Sequence, residues 1–311
     1  MYFPYLRGKQ YELLSLRELS ESNLISDKII PIIEPIKLSS TLIKTLEHFI
    51  WKNKEIALIH NPQVGNFLND IDQLKDNPIK EKYLYYLQNK LIIQSHMFNK
   101  NSNYELDDLY RRGIDKKDLL TISCNRDSLD NYTSEFSDNP PRYNLMPDES
   151  MYKRKIRKNK VLLDDKFEKQ SRNTDYANID DEFFSDDHLY YSDDGFVGFS
   201  DYSIVGSAFT ESGFAPFAVA IHIIYFDSAK ILRIKHFVSD SNDDINDPAN
   251  KFYEAVTKLA KWQDEQNLNT LGIKKFMEYY NTGTYPGLGT VKKLSLMHHI
   301  ELVSQYLDEV Q

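Results

Sequence analysis

The chain contains one cysteine, Cys124, among 311 residues. No disulfide can close within it, and a reducing compartment is the expected setting. No apolar run approaches the roughly 20 residues that a helix needs to cross a bilayer. The opening MYFPYLRGKQ lacks the charged-then-apolar layout of a signal peptide, so the sequence reads as cytoplasmic, with no membrane contact. Positive charge is in the minority: 38 Lys and Arg stand against 47 Asp and Glu, a net charge of −9. That argues against a broad electrostatic grip on DNA and leaves room only for a local basic patch. Glycine is scarce, at 11 residues, while Asn, Lys, Ile and Tyr are abundant. This reads as an AT-rich coding bias and not as a functional signal.

What is present is ordinary globular composition, 41% hydrophobic and 27% charged, enough for one large domain or two small ones. The expectation is one barrel-like domain over 1–311. Along the chain a phrase recurs: a short apolar run, a polar residue, then a helix-like stretch. The runs are 3–6, 29–33, 56–59, 91–93, 119–122, 161–163, 196–199 and 218–224. Most are continuously apolar, which suits strands buried on both faces of a parallel sheet. Between them, 10–19 and 69–88 look helical. After Ser39 and Ser40, residues Leu42, Ile43, Leu46, Phe49 and Ile50 keep helical spacing behind a capping serine. Eight strand candidates alternating with helices predict a TIM-barrel-like (β/α)8 fold, with functional groups gathered at the C-terminal strand ends.

The pattern breaks after Asp201. Too few residues separate it from Pro216 for a crossover helix. The stretch 218–237 reads as a hairpin turning at Asp227-Ser228-Ala229-Lys230, so the barrel should be distorted by antiparallel strands. An open mixed sheet is the other possibility. A charged insertion is expected over about 150–194: the basic run KRKIRKNK at 153–160, then eight acidic residues with five aromatics over 175–194. The basic run is a solvated face or a phosphate contact, and the acidic one a solvated face, lid or partner surface. The part from 247 to 311 is helical, opened by Asp247-Pro248 and carrying His298-His299. Adjacent helical positions diverge by about 100°, so the two cannot easily share a metal.

The strand ends supply the candidate chemistry. Glu34, Asp164 and Asp201 would form a carboxylate cluster, joined by His222. Such a set suits Mg2+ or Mn2+, which polarises a phosphoryl group or activates water. Equally, these carboxylates can be spent on pairing with Arg7, Lys9 and Lys37. In the first arrangement Arg7, Lys9, Lys37, Asn61, His96 and Lys292 would bind substrate, the basic ones holding an anion. The loop GTYPGLGTVKK does not follow the P-loop order. Cys124 is a nucleophile or, more commonly for a lone cysteine, a buried structural residue.

The segments MYFPYLRGKQYELLSLRE, IIPIIEPIK, FSDYSIVG, VAIHIIY, HFVSD and GTYPGLGTVKKLSLMHHIELV resemble those of the bacterial beta family proteins. The resemblance covers most of the chain outside about 99–191. It implies a barrel-like fold and a setting in mobile-element or anti-phage defence loci, often beside a nuclease-like partner. On this reading the chain is a barrel enzyme acting on a nucleotide or nucleic-acid end, possible reactions being metal-dependent phosphodiester or other hydrolysis. The rival reading is a non-catalytic sensor or adaptor that binds the nuclease-like protein through the segment 175–194.

Overall fold

A computed structural model of the chain describes residues 1–74, 77–179, 181–211 and 216–310. The turn read after Asp201 therefore continues into residues outside those described, and the helix read over 69–88 and the acidic segment 175–194 each include some. The chain divides into two compact units. The first is Met1–Leu13, Asp27–Asp165 and Asp187–Tyr202; the second is Leu14–Ser26, Lys166–Asp186 and Ser203–Gln311.

The first unit is a (β/α)8 barrel. Eleven strands occur among the described residues. They are β1 (Tyr5–Leu6), β2 (Ile32–Ile33), β3 (Ile56–Ile59), β4 (Ile92–Met97), β5 (Leu120–Ile122), β6 (Tyr143–Met146), β7 (Lys160–Asp164), β8 (Asp181–Ser185), β9 (Gly198–Asp201), β10 (Ala220–Phe226) and β11 (Leu232–Val238). Eight of them form one parallel sheet in the order β1-β2-β3-β4-β5-β6-β7-β9. The sheet closes through a parallel bridge between Tyr2 and Phe199, with the Phe3 N–H donating to the Phe199 carbonyl at 2.9 Å. Closure at this seam needs Gly198: a Cβ there would stand 2.7 Å from both the Met1 carbonyl oxygen and the Phe3 ring. Helices such as Ser40–Trp51, Ser102–Arg111 and Leu129–Phe136 make the crossovers that parallel neighbours require. The Ser39 hydroxyl caps the first of these by accepting from Leu42 N–H at 3.2 Å.

Seven of the eight predicted strands are barrel strands. The remaining barrel strand is Tyr143–Met146, whose short and partly polar sequence hides it. Its Asn144 is buried and satisfied, donating to the Lys158 carbonyl at 2.8 Å and accepting from the Thr121 hydroxyl at 2.6 Å. The barrel interior is aliphatic and aromatic. Phe3 and Tyr5, Ile30 and Ile32, Ala57 and Ile59, Leu120 and Ile122, and Val161 and Leu163 pack there in a period of two. Each fully buried Ile or Leu contributes about 1.5–3 kcal/mol relative to exposure.

The second unit holds an antiparallel three-stranded sheet, β10-β11-β8, and the helices Pro248–Gln266, Leu271–Thr282 and Leu288–Glu309. The predicted hairpin forms, with Ile223 opposite Lys235 and the turn closed by Lys230 N–H to the Asp227 carbonyl. Asp247 caps its helix as read, accepting from Asn250 N–H at 3.0 Å. The acidic segment is not an appendage: β8 pairs with β11, Asp181 bonds to Arg233, and Phe184 is buried. Among the described residues no helix is long and apolar enough to cross a membrane.

Candidate functional site

Extending the interior alternation past the C-terminal strand ends brings Arg7 and Glu34 to the barrel mouth. Glu34 is fully buried, and an isolated buried carboxylate is costly. Here it is compensated. One oxygen accepts from the Tyr5 hydroxyl at 2.7 Å and pairs with the Arg7 guanidinium, and the other accepts from Gln63 N–H at 2.8 Å. Arg7 packs against two neighbouring rings, 5.3 Å from the Tyr5 centroid and 5.5 Å from that of Tyr202. The two rings are 4.8 Å apart, and the Tyr5 hydroxyl also contacts the Met97 sulfur at 3.5 Å.

The electrostatics of this cluster keep its phenols and its thiol protonated. Burial raises the Tyr5 phenol well above its ordinary range, with Tyr202 adding to the effect and Arg7 opposing it, so Tyr5 acts as a donor to Glu34. Burial likewise raises Tyr202, helped by Cys124 and by the nearby charges of Asp164 and Asp165. Cys124 reaches solvent, yet the protein around it disfavours the thiolate and pushes its pKa up to about 11, against the pull of Arg7. A thiol held protonated at neutral pH is a poor nucleophile.

The other predicted residues of this unit lie elsewhere. Asp201 and Asp164 are paired neighbours on β9 and β7, in register with each other. They share strand parity with Phe199 and Leu162, on the face opposite the aliphatic interior. Asp201 is buried and accepts from the Tyr2 hydroxyl; Asp164 is exposed and accepts from Asp165 N–H at 2.8 Å. His96 also faces outward, bonded to Ser102 at 2.9 Å and His60 at 3.1 Å, and burial lowers its pKa to about 3. Asn61 ties two strand ends together: it accepts from Met97 N–H and donates to the Met97 carbonyl and to Glu105. Lys9 is half-buried, with its backbone N–H on Glu12, and Lys37 is exposed and makes no ion pair among the described residues. The structure thus joins Arg7 to Glu34 and does not bring Glu34, Asp164 and Asp201 together. Among the described residues no three His, Cys, Asp or Glu side chains are grouped to hold a metal ion.

His222 and Lys292 belong to the second unit. His222 sits on β10, opposite His236, and Lys292 lies near the start of helix Leu288–Glu309. Both His298 and His299 are buried. His298 is fully used, bonded to Thr270 at 2.7 Å and to the Ile224 carbonyl at 2.5 Å. The basic run is a solvated face in part: Lys155 pairs with Asp130 at 3.1 Å, and Lys153 with Asp148. A cleft of about 800 Å³ at the N-terminal strand ends, beside Glu55, Gln94, Arg112 and Arg142, includes none of the predicted residues.

Sequence reasoning passed over Tyr5, Gln63 and Tyr202. Two of these were within reach, because Phe3-Tyr5-Arg7 and Ser200-Tyr202 continue the inward alternation, whereas Asp201 is one step out of phase with it. No family model, curated protein or solved structure matches the chain.

Proposed function

We propose that the chain is a cytoplasmic (β/α)8-barrel protein that binds a phosphate-bearing ligand, a nucleotide or a nucleic-acid end, at the C-terminal mouth of its barrel. The observation that carries this reading is the guanidinium of Arg7, oriented by Glu34 and packed against the neighbouring rings of Tyr5 and Tyr202. A guanidinium held in place loses little side-chain freedom on meeting an anion, and its planar fork suits phosphate geometry. The half-buried Tyr202 ring offers an apolar face beside it. Exposed Lys37 and half-buried Lys9 follow the same two strands and add positive charge. In this reading Glu34 positions Arg7, and binding is supported further than any bond-breaking step. The defence-locus setting implied by the resemblance makes nucleotides the first ligands to try.

The test is a thermal-shift screen of the full chain against inorganic phosphate and a nucleotide panel. A ligand at 100 times its dissociation constant stabilises the folded state by about 2.7 kcal/mol. The shift should shrink in Arg7→Lys, which keeps the charge and loses the fork, and in Tyr202→Ala. A shift of the same size in both variants, or none in the wild-type chain with any member of the panel, would remove the reading.

A further inference from the structure

The three-stranded sheet of the second unit carries a chain of titratable side chains separate from the barrel mouth. His222 and His236 are directly opposed on β10 and β11, and their Nδ1 atoms lie 2.7 Å apart. The Nε2 atom of His236 lies 3.0 Å from Glu182 Oε1, on β8. The rings of Tyr176 and Phe167 stand 4.6 and 5.2 Å from that of His222, as two apolar walls. Tyr176 also stacks obliquely on His236, at 4.8 Å. The ring of His222 is half-buried, and its Nε2 atom makes no hydrogen bond among the described residues. Lys292 is exposed and close enough for its charge to act on His222.

The bonding pattern fixes where the protons sit. A carboxylate only accepts, so Glu182 takes the Nε2 proton of His236. A neutral imidazole has one N–H, so the Nδ1 atom of His236 then presents a lone pair. The Nδ1 atom of His222 must donate to it. That leaves the Nε2 atom of His222 as a lone pair at the open end of the chain. We propose that Glu182, His236 and His222 form a proton relay whose accepting atom is His222 Nε2, and that it serves a substrate carrying an acidic O–H group.

In the transfer, the O–H bond breaks with its electron pair left on oxygen, and the proton joins His222 Nε2. The resulting imidazolium is stabilised through Nδ1–H to His236 and onward to Glu182. This is the orienting logic of a carboxylate behind a histidine base, extended by one ring. His222 is the residue that would touch substrate; His236 and Glu182 position it. Burial, the opposing ring and Lys292 hold His222 neutral at rest, and burial also lowers His236 against the pull of Glu182 and Asp181 and with the push of Lys235.

Two measurements on the full chain test the relay. Long-range 15N–1H correlation spectra of the imidazoles should show His222 protonated at Nδ1 and His236 at Nε2. The reverse assignment, or Nε2–H on both, overturns it. Carbethoxylation by diethylpyrocarbonate, which needs a neutral ring nitrogen with an open lone pair, should label His222 ahead of the seven other histidines of the eight in the chain. In Glu182→Gln, which keeps an acceptor and loses the charge, the rate at His222 should fall by roughly fivefold, the difference between a charged and a neutral hydrogen bond. An unlabelled His222 or a rate unchanged in Glu182→Gln rejects the relay.

Discussion

The Tyr2 hydroxyl donates to Asp201 Oδ1 at 2.9 Å across the seam where the first and last segments of the barrel meet. Asp201 is buried, and Tyr2 is also stacked on Phe199, with ring centroids 5.0 Å apart. The pair therefore closes the barrel from its outer face. Tyr2→Phe keeps the ring and removes one donor from the carboxylate. It should lower stability by about 1–3 kcal/mol in urea unfolding, the cost of an under-satisfied buried acceptor. Phosphate or nucleotide binding at the mouth should be unchanged, because the hydroxyl faces away from the interior.

Glu34 and Arg7 make the opposite case, an ion pair buried inside the mouth. Removing one partner leaves an uncompensated charge. Glu34→Ala should cost about 3–5 kcal/mol by equilibrium unfolding. Combining it with Arg7→Met should cost less than the sum of the two single changes, since no charge is then stranded. Additive costs would show that the two side chains do not interact.

Cys124 is accessible, but its pKa of about 11 stands above the ordinary 9.0. At pH 8 its thiolate fraction should be smaller than that of a free thiol by roughly a hundredfold. Alkylation by iodoacetamide should accordingly be slow near neutrality and rise with pH up to about 11. Fast labelling at pH 7 would contradict this account of the mouth.

Buried histidines make the fold sensitive to acid. Burial lowers His96 to about 3 and His298 to about 4, from an ordinary 6.5. Below pH 6.5 the unfolded chain binds protons that these folded-state rings do not, so their stabilising effect is complete above that pH. It is lost progressively as pH falls from 6.5 to about 3 and 4. Within that window each ring should add a slope of about 1.4 kcal/mol per pH unit. Urea unfolding across pH 4.5–6.5 of the wild-type chain and His298→Gln should differ in slope by about one proton.

The sequence by itself determined most of the strands of the barrel. Continuous apolar runs such as Ile56–Ile59, separated by helix-length stretches, leave little else for seven of its strands to be. It also determined the hairpin at Asp227–Lys230 and the helix opened by Asp247-Pro248. It did not reveal Tyr143–Met146, because a buried Asn144 satisfied by neighbouring strands looks polar when read alone. Nor did it tell Glu34 from Asp164 and Asp201. All three are acidic residues at strand ends, and the side on which each falls is set by the pairing register. A one-residue difference in phase sends a side chain to the opposite face of the sheet. For the same reason the partners of His222 were hidden: His236 and Glu182 come from strands 14 and 40 residues away, and only antiparallel pairing aligns them. Apolar periodicity is local and survives in a single chain, whereas the facing of polar groups is decided by register and closure, which are properties of the folded sheet.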